Sequence, residues 1–467
     1  MKTSSFRFWA CPATGQPLLD EGRELKSETS PDLVYPKIGG VPWLFPDPRF
    51  VLANWRERID FFLEMRSQEI EELKGSIKST TSSLTKARLE ALRQSKITQL
   101  ELLKKVLDPI KPGTKLSLPK KQAFGYRLPF NQGLLGYFPN LARDWAIGAN
   151  NFETENITLL EAVLAVTPAA TKTSMATSNL KIAVLGCGAG RLPYDIAKMY
   201  SNCQVMAVDI NPLLLLAAQQ INSGAKLKGI YPTVSPKDRM QPALELELAA
   251  PKGPATNLEF VFGDVYALPF LPASFDVVIT PWLVDILPRQ FSQLTASIAQ
   301  ITKPEGIWIN CGAWAFNFQN EEDNLSLAEA EEVGSQSGWN PLTSQLIETA
   351  YLQTEIDSHR RFETMTAFAW QRSGTPVTYD SRARLSDKIE WLTNPSLPIP
   401  RLPAFAQSIE SLSTMTWVLS QVDGKRTLTD LIATLSQQSG LDQDAARDAL
   451  ESFFDRYLKD RTFRERT

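Results

Sequence analysis

Histidine is almost missing from this chain: His359 stands alone among 467 residues. With so little imidazole, a Ser-His-Asp hydrolase or a histidine-rich metal site is hard to build. Cysteine is scarce too. Cys11, Cys187, Cys203 and Cys311 contain no C-x-x-C pair, so neither a zinc site nor a disulfide framework is suggested. Cys187 falls in a glycine-rich turn and Cys203 and Cys311 on or beside expected strands, which reads as small buried hydrophobes rather than nucleophiles. There is no excess charge of one sign either. A formal net charge of −3, with 22% charged and 43% apolar residues, is the composition of an ordinary soluble globular protein and gives no global case for nucleic-acid binding. No apolar run approaches a membrane span, and Met1–Arg7 carries no apolar core of a signal peptide, so a cytoplasmic location is expected. The length allows roughly two to four domains.

What the chain does have is concentrated between Ile182 and Asp209. The strand-like Ile182–Leu185 runs into Gly186-Cys187-Gly188-Ala189-Gly190, a helix is expected from about Arg191, and the strand Gln204–Val208 closes on Asp209. Glycines at the carboxyl end of a strand allow a sharp turn and keep Cβ atoms away from a ligand. A carboxylate closing the next strand can accept hydrogen bonds from both hydroxyls of a ribose. A dinucleotide would call for G-x-G-x-x-G, whereas the spacing here is G-x-G-x-G, suited to a cofactor without a pyrophosphate.

Further strands follow in register. Leu258–Asp264 is a β-type run ending in an acid, and Ser274–Thr280 is nearly continuous apolar, as a central parallel strand should be. A helix over Pro288–Thr302 and a turn at Lys303-Pro304-Glu305-Gly306 lead into a strand Ile307–Asn310. Lys172–Asn179 reads as a polar connector, and residues 224–256 as an insertion near the carboxyl edge of the sheet that could wall a substrate site. The alternation predicts right-handed crossovers and a ligand at that edge. Residues 49–107 carry apolar positions at helical spacing, with Lys74–Ser83 separating two helices.

The G-x-G-x-G spacing resembles motif I of class I S-adenosylmethionine-dependent methyltransferases, and Asp264 resembles their adenine-contacting acid. Taken together, Gly136-Tyr137-Phe138-Pro139-Asn140-Leu141-Ala142-Arg143-Asp144-Trp145, Gly190–Ala197 and Ile307–Phe316 resemble the carnosine N-methyltransferase-like family over roughly residues 125–372. The resemblance implies an α/β, Rossmann-like sheet, S-adenosylmethionine as cofactor, and no metal. It implies cofactor contacts at Asn140 and Arg143 for the methionine end, at Gly186, Gly188, Gly190 and Asp209, and at Asp264, Val265 and Val277. An Arg fork suits a carboxylate held at two points, although Arg143 could instead pair with Asp144. Asp285 matches the substrate-contacting aspartate, in reach to orient an acceptor nitrogen and take its proton; as a bare sequence feature it could equally cap the next helix. The family's substrate histidine falls on Asn317 and its tyrosines near Arg360 and Phe362. The resemblance therefore places Asp285, Asn317 and Phe362 at the substrate without carrying over the imidazole-dipeptide pocket.

The ends suggest separate modules. Residues 1–48, through Cys11–Leu18 and Tyr35–Leu44, resemble the small zinc-ribbon activators that partner methyltransferases, with only Cys11 of the usual ligands left, so a metal-free scaffold or a plain β-hairpin cap is expected. A helical segment over 49–124, a methyltransferase domain over 125–375 and a linker over 376–403 with Pro395, Pro398, Pro400 and Pro403 follow. In residues 404–467, Thr416–Leu435, with a tight turn at Asp423–Thr427, and Asp448–Leu458 resemble winged-helix domains that present precursor peptides to modifying enzymes, which would add a peptide as a strand to a sheet edge; a winged helix used only for packing or dimerisation is the alternative. The expected function is methylation of a peptide or small amine nitrogen. The competing readings are a small-molecule O- or N-methyltransferase with structural end domains, and an interaction scaffold without turnover.

Overall fold

Runs that are apolar on both faces, such as Ala183-Val184-Leu185 and Val277-Val278-Ile279, belong in the middle of a parallel sheet, and the computed structural model of the chain buries them there completely. The structure describes residues 8–27, 29–30, 32–110, 135–233, 235–287, 291–316, 318, 321–374, 421 and 426–451. In chain order these form β1 (Leu18–Asp20), β2 (Glu24–Ser27), β3 (Val34–Ile38), β4 (Val41–Leu44), α1 (Pro48–Ser79), α2 (Ser83–Val106), α3 (Phe138–Trp145), α4 (Asn150–Val166), α5 (Ala169–Thr177) and β5 (Lys181–Leu185). Then come α6 (Arg191–Met199), β6 (Gln204–Asp209), α7 (Pro212–Asn222), β7 (Leu227–Pro232), β8 (Ala243–Leu248), β9 (Leu258–Gly263) and β10 (Phe275–Pro281). The last are α8 (Phe291–Ile301), β11 (Thr302–Gly312), α9 (Leu327–Gln336), β12 (Trp339–Ala350), β13 (Phe362–Arg372) and α10 (Leu428–Ser439).

Eleven strands make one sheet in the order β1-β2-β3-β4-β9-β6-β5-β10-β11-β13-β12. The run from β4 to β11 is parallel, and β13 and β12 return antiparallel. From β5 the chain first winds outward through β6 to β9, then comes back to β10 on β5's other side. Right-handed crossovers put α6 and α7 on one face and α8 on the other, so the connections leave β5 and β10 in opposite directions and open a crevice at their carboxyl ends. The fold is thus the expected α/β, Rossmann-like one.

Several expectations need correction. The first residues make no separate cap: β4 pairs with β9, Trp43 beside Phe262 and Leu44 beside Gly263, so β1–β4 continue the main sheet. Cys11 is buried against Tyr35, its Sγ 3.0 Å from the phenol oxygen, and no group of three His, Cys, Asp or Glu suited to a metal exists among the described residues. The break between α1 and α2 is shorter than Lys74–Ser83, because the Ser76 and Ser79 hydroxyls return to carbonyls within the helix and Ser82 then caps α2. Likewise Lys172–Asn179 is mostly α5, where the Thr173 and Thr177 hydroxyls donate to carbonyls one turn back. Lys303–Gly306 is a bulge inside β11 rather than a turn before it, with Glu305 at φ 64° and the register to β10 shifting between Phe275 and Val277.

The 224–256 insertion is the β7–β8 hairpin. Its tip meets the β12–β13 connection: the Lys237 N–H donates to Ile356 O and the Ser358 N–H to Ser235 O, both at 2.8 Å, and the Thr233 hydroxyl donates to Asp357. No helix among the described residues is long and apolar enough to cross a membrane.

The chain divides into two compact units, Met1–Ser386 and Asp387–Thr467. In the second, Thr427 and Asp430 cap α10 reciprocally, Gly440 ends it at φ 71°, and Leu431, Ile432, Ala446 and Leu450 form a small core. Of the segments that carry the winged-helix resemblance, residues 416–420 and 452–458 lie outside the described residues, as do residues 423–425 of the turn expected at Asp423–Thr427.

Candidate active site

Only five residues separate β5 from α6, and Gly186, Gly188 and Gly190 take φ of 65°, 59° and 90° to make the turn. Their reasons differ. A Cβ on Gly186 would lie 2.6 Å from Leu283 and one on Gly190 2.8 Å from Phe260, whereas one on Gly188 would meet nothing within 4 Å. Gly186 and Gly190 let the loop pack, and Gly188 presents bare backbone to open space. Gly188→Val therefore should fill that space with a branched side chain. S-adenosylhomocysteine titration is expected to show affinity down by about 100-fold or more, while the backbone strain of about 1–3 kcal/mol lowers the melting temperature only modestly. Undiminished affinity in the folded variant would remove the loop from the cofactor.

Asp209 closes β6 beside this loop. Its Oδ2 accepts the Gly188 N–H and its Oδ1 the Asn211 N–H, both at 2.9 Å. Burial pushes its pKa up to about 6, against the pull of those N–H groups. Ribose hydroxyls would favour the ionised form, so the bound carboxylate must titrate lower than the free one. Affinity for S-adenosylhomocysteine should accordingly be flat above about pH 6 and fall by up to about tenfold per unit below it. Calorimetry from pH 5 to 8 reads this directly, and Asp209→Ala should abolish the slope.

The Arg143-Asp144-Trp145 segment ends α3 and clamps the loop from outside. The Trp145 indole N–H donates to Ala189 O at 2.6 Å, and Asp144 Oδ2 accepts the Arg191 N–H at 3.3 Å. Arg143 is buried, and its fork is turned inward: Nε and Nη2 each lie 2.8 Å from Asp144 Oδ1, and Nη1 lies 3.2 Å from Glu155 Oε1. Burial alone would lower its pKa, but Asp144 and Glu155 hold it above the ordinary value. The pairing with Asp144 is thus made, and the open fork expected for a cofactor carboxylate is not. Asn140, a turn earlier, hydrogen-bonds the side chain of Tyr351.

At the end of β10, Trp282 adopts φ 47°, a strained conformation for a bulky residue. Its N–H donates to Cys311 O at 3.0 Å, and a Cβ on Gly312 would lie 2.8 Å from its backbone, so Gly312 makes room for the kink. Asp285 follows in a single 3-10 turn, Val284–Ile286. Leu287, which follows that turn, is extended, so Asp285 is not placed to cap the next helix, α8, whose described part begins at Phe291. Burial first, then the charge of Glu363, pushes the Asp285 carboxyl up to about 6, while its own backbone N–H pulls the other way.

The remaining expected residues scatter. Asp264 follows β9 at the same edge and accepts the Tyr266 N–H at 2.9 Å. Val265 is buried in the apolar core beside it. Val277 sits opposite Ile182, four residues below Gly186 or about 13 Å down the strand, sealed in the core. Asn317 lies outside the described residues. Phe362 opens β13 with 58% of its surface exposed, and it is Glu363, on the alternate face, whose charge reaches Asp285. Residue-by-residue matching missed Tyr137, whose phenol, raised chiefly by burial, also feels Asp209 and Tyr351. It missed Glu155, Trp282, Tyr351 and Glu363 as well. Trp282, a large aromatic three places before Asp285, was the one legible signal among them.

A family model described as carnosine N-methyltransferase matches residues 134–371. The Drosophila melanogaster protein "Carnosine N-methyltransferase unmet" is 23% identical over 204 residues, 41% of this chain; the chain spans 43% of the length of that relative. Among solved structures, a SAM-dependent methyltransferase from Aquifex aeolicus is 12% identical, covering 47% of this chain and 96% of that one, with a TM-score of 0.29. The YcgJ protein from Bacillus subtilis is 12% identical over 46% of this chain and 99% of that one, with a TM-score of 0.32.

Proposed function

The chain belongs to the carnosine N-methyltransferase family, and from that membership we propose that it is an S-adenosylmethionine-dependent methyltransferase acting on a nitrogen of a peptide or small amine. The observation that carries the reading is the convergence of Gly188, Asp209 and Asp285 on the carboxyl edge of β5, β6 and β10. Gly188 offers the backbone approach, and Asp209, fixed by two N–H groups, offers the ribose its acceptors. When bound, S-adenosylmethionine supplies a methyl group on a sulfonium, an electrophile that needs only an aligned, unprotonated nucleophile and exclusion of water. Asp285 orients the acceptor nitrogen and takes its proton. Asn140 and Tyr137 flank the crevice beside Asp209 and Tyr351.

Residues 404–467 serve as a winged-helix recruiter of a precursor peptide in this reading. Four free, buried cysteines suit a reducing, cytoplasmic setting. A small-molecule substrate is the second reading, favoured by the N-terminal strands being sheet rather than a docking module. Mass spectrometry of cell extract incubated with isotopically labelled S-adenosylmethionine is expected to reveal one methylated amine. Labelled oxygen instead would replace nitrogen as the acceptor. Absence of S-adenosylhomocysteine binding would leave the fold as a scaffold. Co-purification of a peptide with the full chain, lost when residues 404–467 are deleted, separates the recruiter from a structural end.

A further inference from the structure

Five side chains close a circuit at the end of β10. The rings of Trp282 and Tyr351 meet with centroids 4.9 Å apart at 60°. The Arg361 guanidinium carbon stands 4.8 Å from the Tyr351 ring centroid, and Arg361 Nε donates to Glu363 Oε1. The charge of Glu363 bears on Asp285, three residues after Trp282, which returns the circuit to its start. Tyr351 is held in place by Asn140 at its side chain and by its own N–H, which donates to Arg361 O at 3.0 Å. The kinked Trp282 backbone is likewise fixed, and its indole nitrogen is buried without an acceptor among the described residues.

Two aromatic faces and two carboxylates make the chemical set that recognises an organic ammonium, because ring faces and carboxylates are both negative. Arg361 is the member that does not fit a finished structural cluster. Its side chain keeps 66% of its surface in water, yet it covers the Tyr351 ring and one carboxylate, the places a bound cation would take. Holding a long exposed arginine there gains little by itself. We propose that this circuit is the acceptor site for an alkylammonium substrate, and that Arg361 fills it in the free protein and swings out when the amine arrives. This rests on the methyltransferase reading and names the substrate class within it.

The step balances on these groups. The ammonium gives one proton to Asp285 and becomes a neutral amine. Its lone pair forms the new bond to the methyl carbon, the sulfur keeps the electron pair of the bond that breaks, and the product is again an ammonium. The acceptor is therefore an ammonium both before and after transfer, so the rings and Glu363 hold substrate and product alike, while Asp285 keeps the proton until it passes to solvent.

Choline and its neutral isostere 3,3-dimethylbutan-1-ol are the probes, titrated calorimetrically into the full chain with S-adenosylhomocysteine present. Choline should bind at least about tenfold tighter than the alcohol. Arg361→Ala should tighten choline by about threefold or more, by removing the competitor. Trp282→Leu should weaken it about fivefold, with Tyr351→Leu as the second variant should the first fail to fold. Equal binding of choline and the alcohol, or weaker choline binding in Arg361→Ala, overturns the proposal. S-adenosylhomocysteine binding on the same preparation then leaves the methyltransferase reading standing. Its absence sinks that reading and the proposal together.

Discussion

Asp285→Asn is expected to bind S-adenosylhomocysteine as the parent does and to transfer methyl groups about 10²–10⁴-fold more slowly, the range of a positioned acid–base group. The substitution keeps size and hydrogen-bonding capacity but cannot take a proton. Asp285 stands within a 3-10 turn that ends in extended backbone at Leu287, six residues ahead of the described start of α8, so helix capping offers no competing explanation for a lost rate. Its pKa supplies a second readout. With the carboxyl pushed up to about 6, the proton acceptor is the ionised form, so single-turnover rate should rise with pH through about 6 and then level. Asn should lack that rising limb. Near-parental turnover, or a limb that survives the substitution, would remove Asp285 from the chemistry.

Arg143→Met should cost about 3–5 kcal/mol of stability, because it strands Asp144 and Glu155 as buried, uncompensated acids. An arginine whose task was to hold a cofactor carboxylate would behave otherwise: affinity would fall and the melt would hardly move. Glu155→Gln in the Arg143→Met background removes one of the stranded charges and should recover part of the loss, which makes a double-mutant cycle the decisive measurement. Denaturant melts with and without S-adenosylhomocysteine separate the two roles. A stability loss below about 1 kcal/mol with a large affinity loss would restore the cofactor assignment.

Local signals read well wherever one segment settles its own conformation. Glycines demanded a turn after β5, and doubly apolar runs could only be central strands, so the path from β5 to β11 is visible in the residues themselves. Fold and strand ends therefore came together, with Asp209 and Asp264 at the edge. What the sequence left hidden depended on partners far away along the chain. Nothing near Arg143 announces that Glu155 will face its Nη1 from α4, and nothing near Tyr351 announces Trp282. Val277 shows a different limit: its strand is legible, but strand periodicity does not say how far along the strand a ligand sits. The Ser- and Thr-rich stretches at Lys74–Ser83 and Lys172–Asn179 misled because hydroxyls that return to their own helix remove the competition that usually breaks one.

The pairing of Trp43 with Phe262 has a consequence for how the molecule comes into being. In synthesis β4 precedes its neighbour β9 by the whole of α1–α7 and the β7–β8 hairpin. Until then Trp43, Leu44 and Phe45, all of which end up fully buried, have β3 on one side and no strand on the other. Contacts so distant in sequence close late and slowly, so the nascent chain carries an unsatisfied strand edge until β9 arrives. The finished sheet gains from the same arrangement. β9 is sealed by β4, and an edge that could have recruited another polypeptide is closed from within.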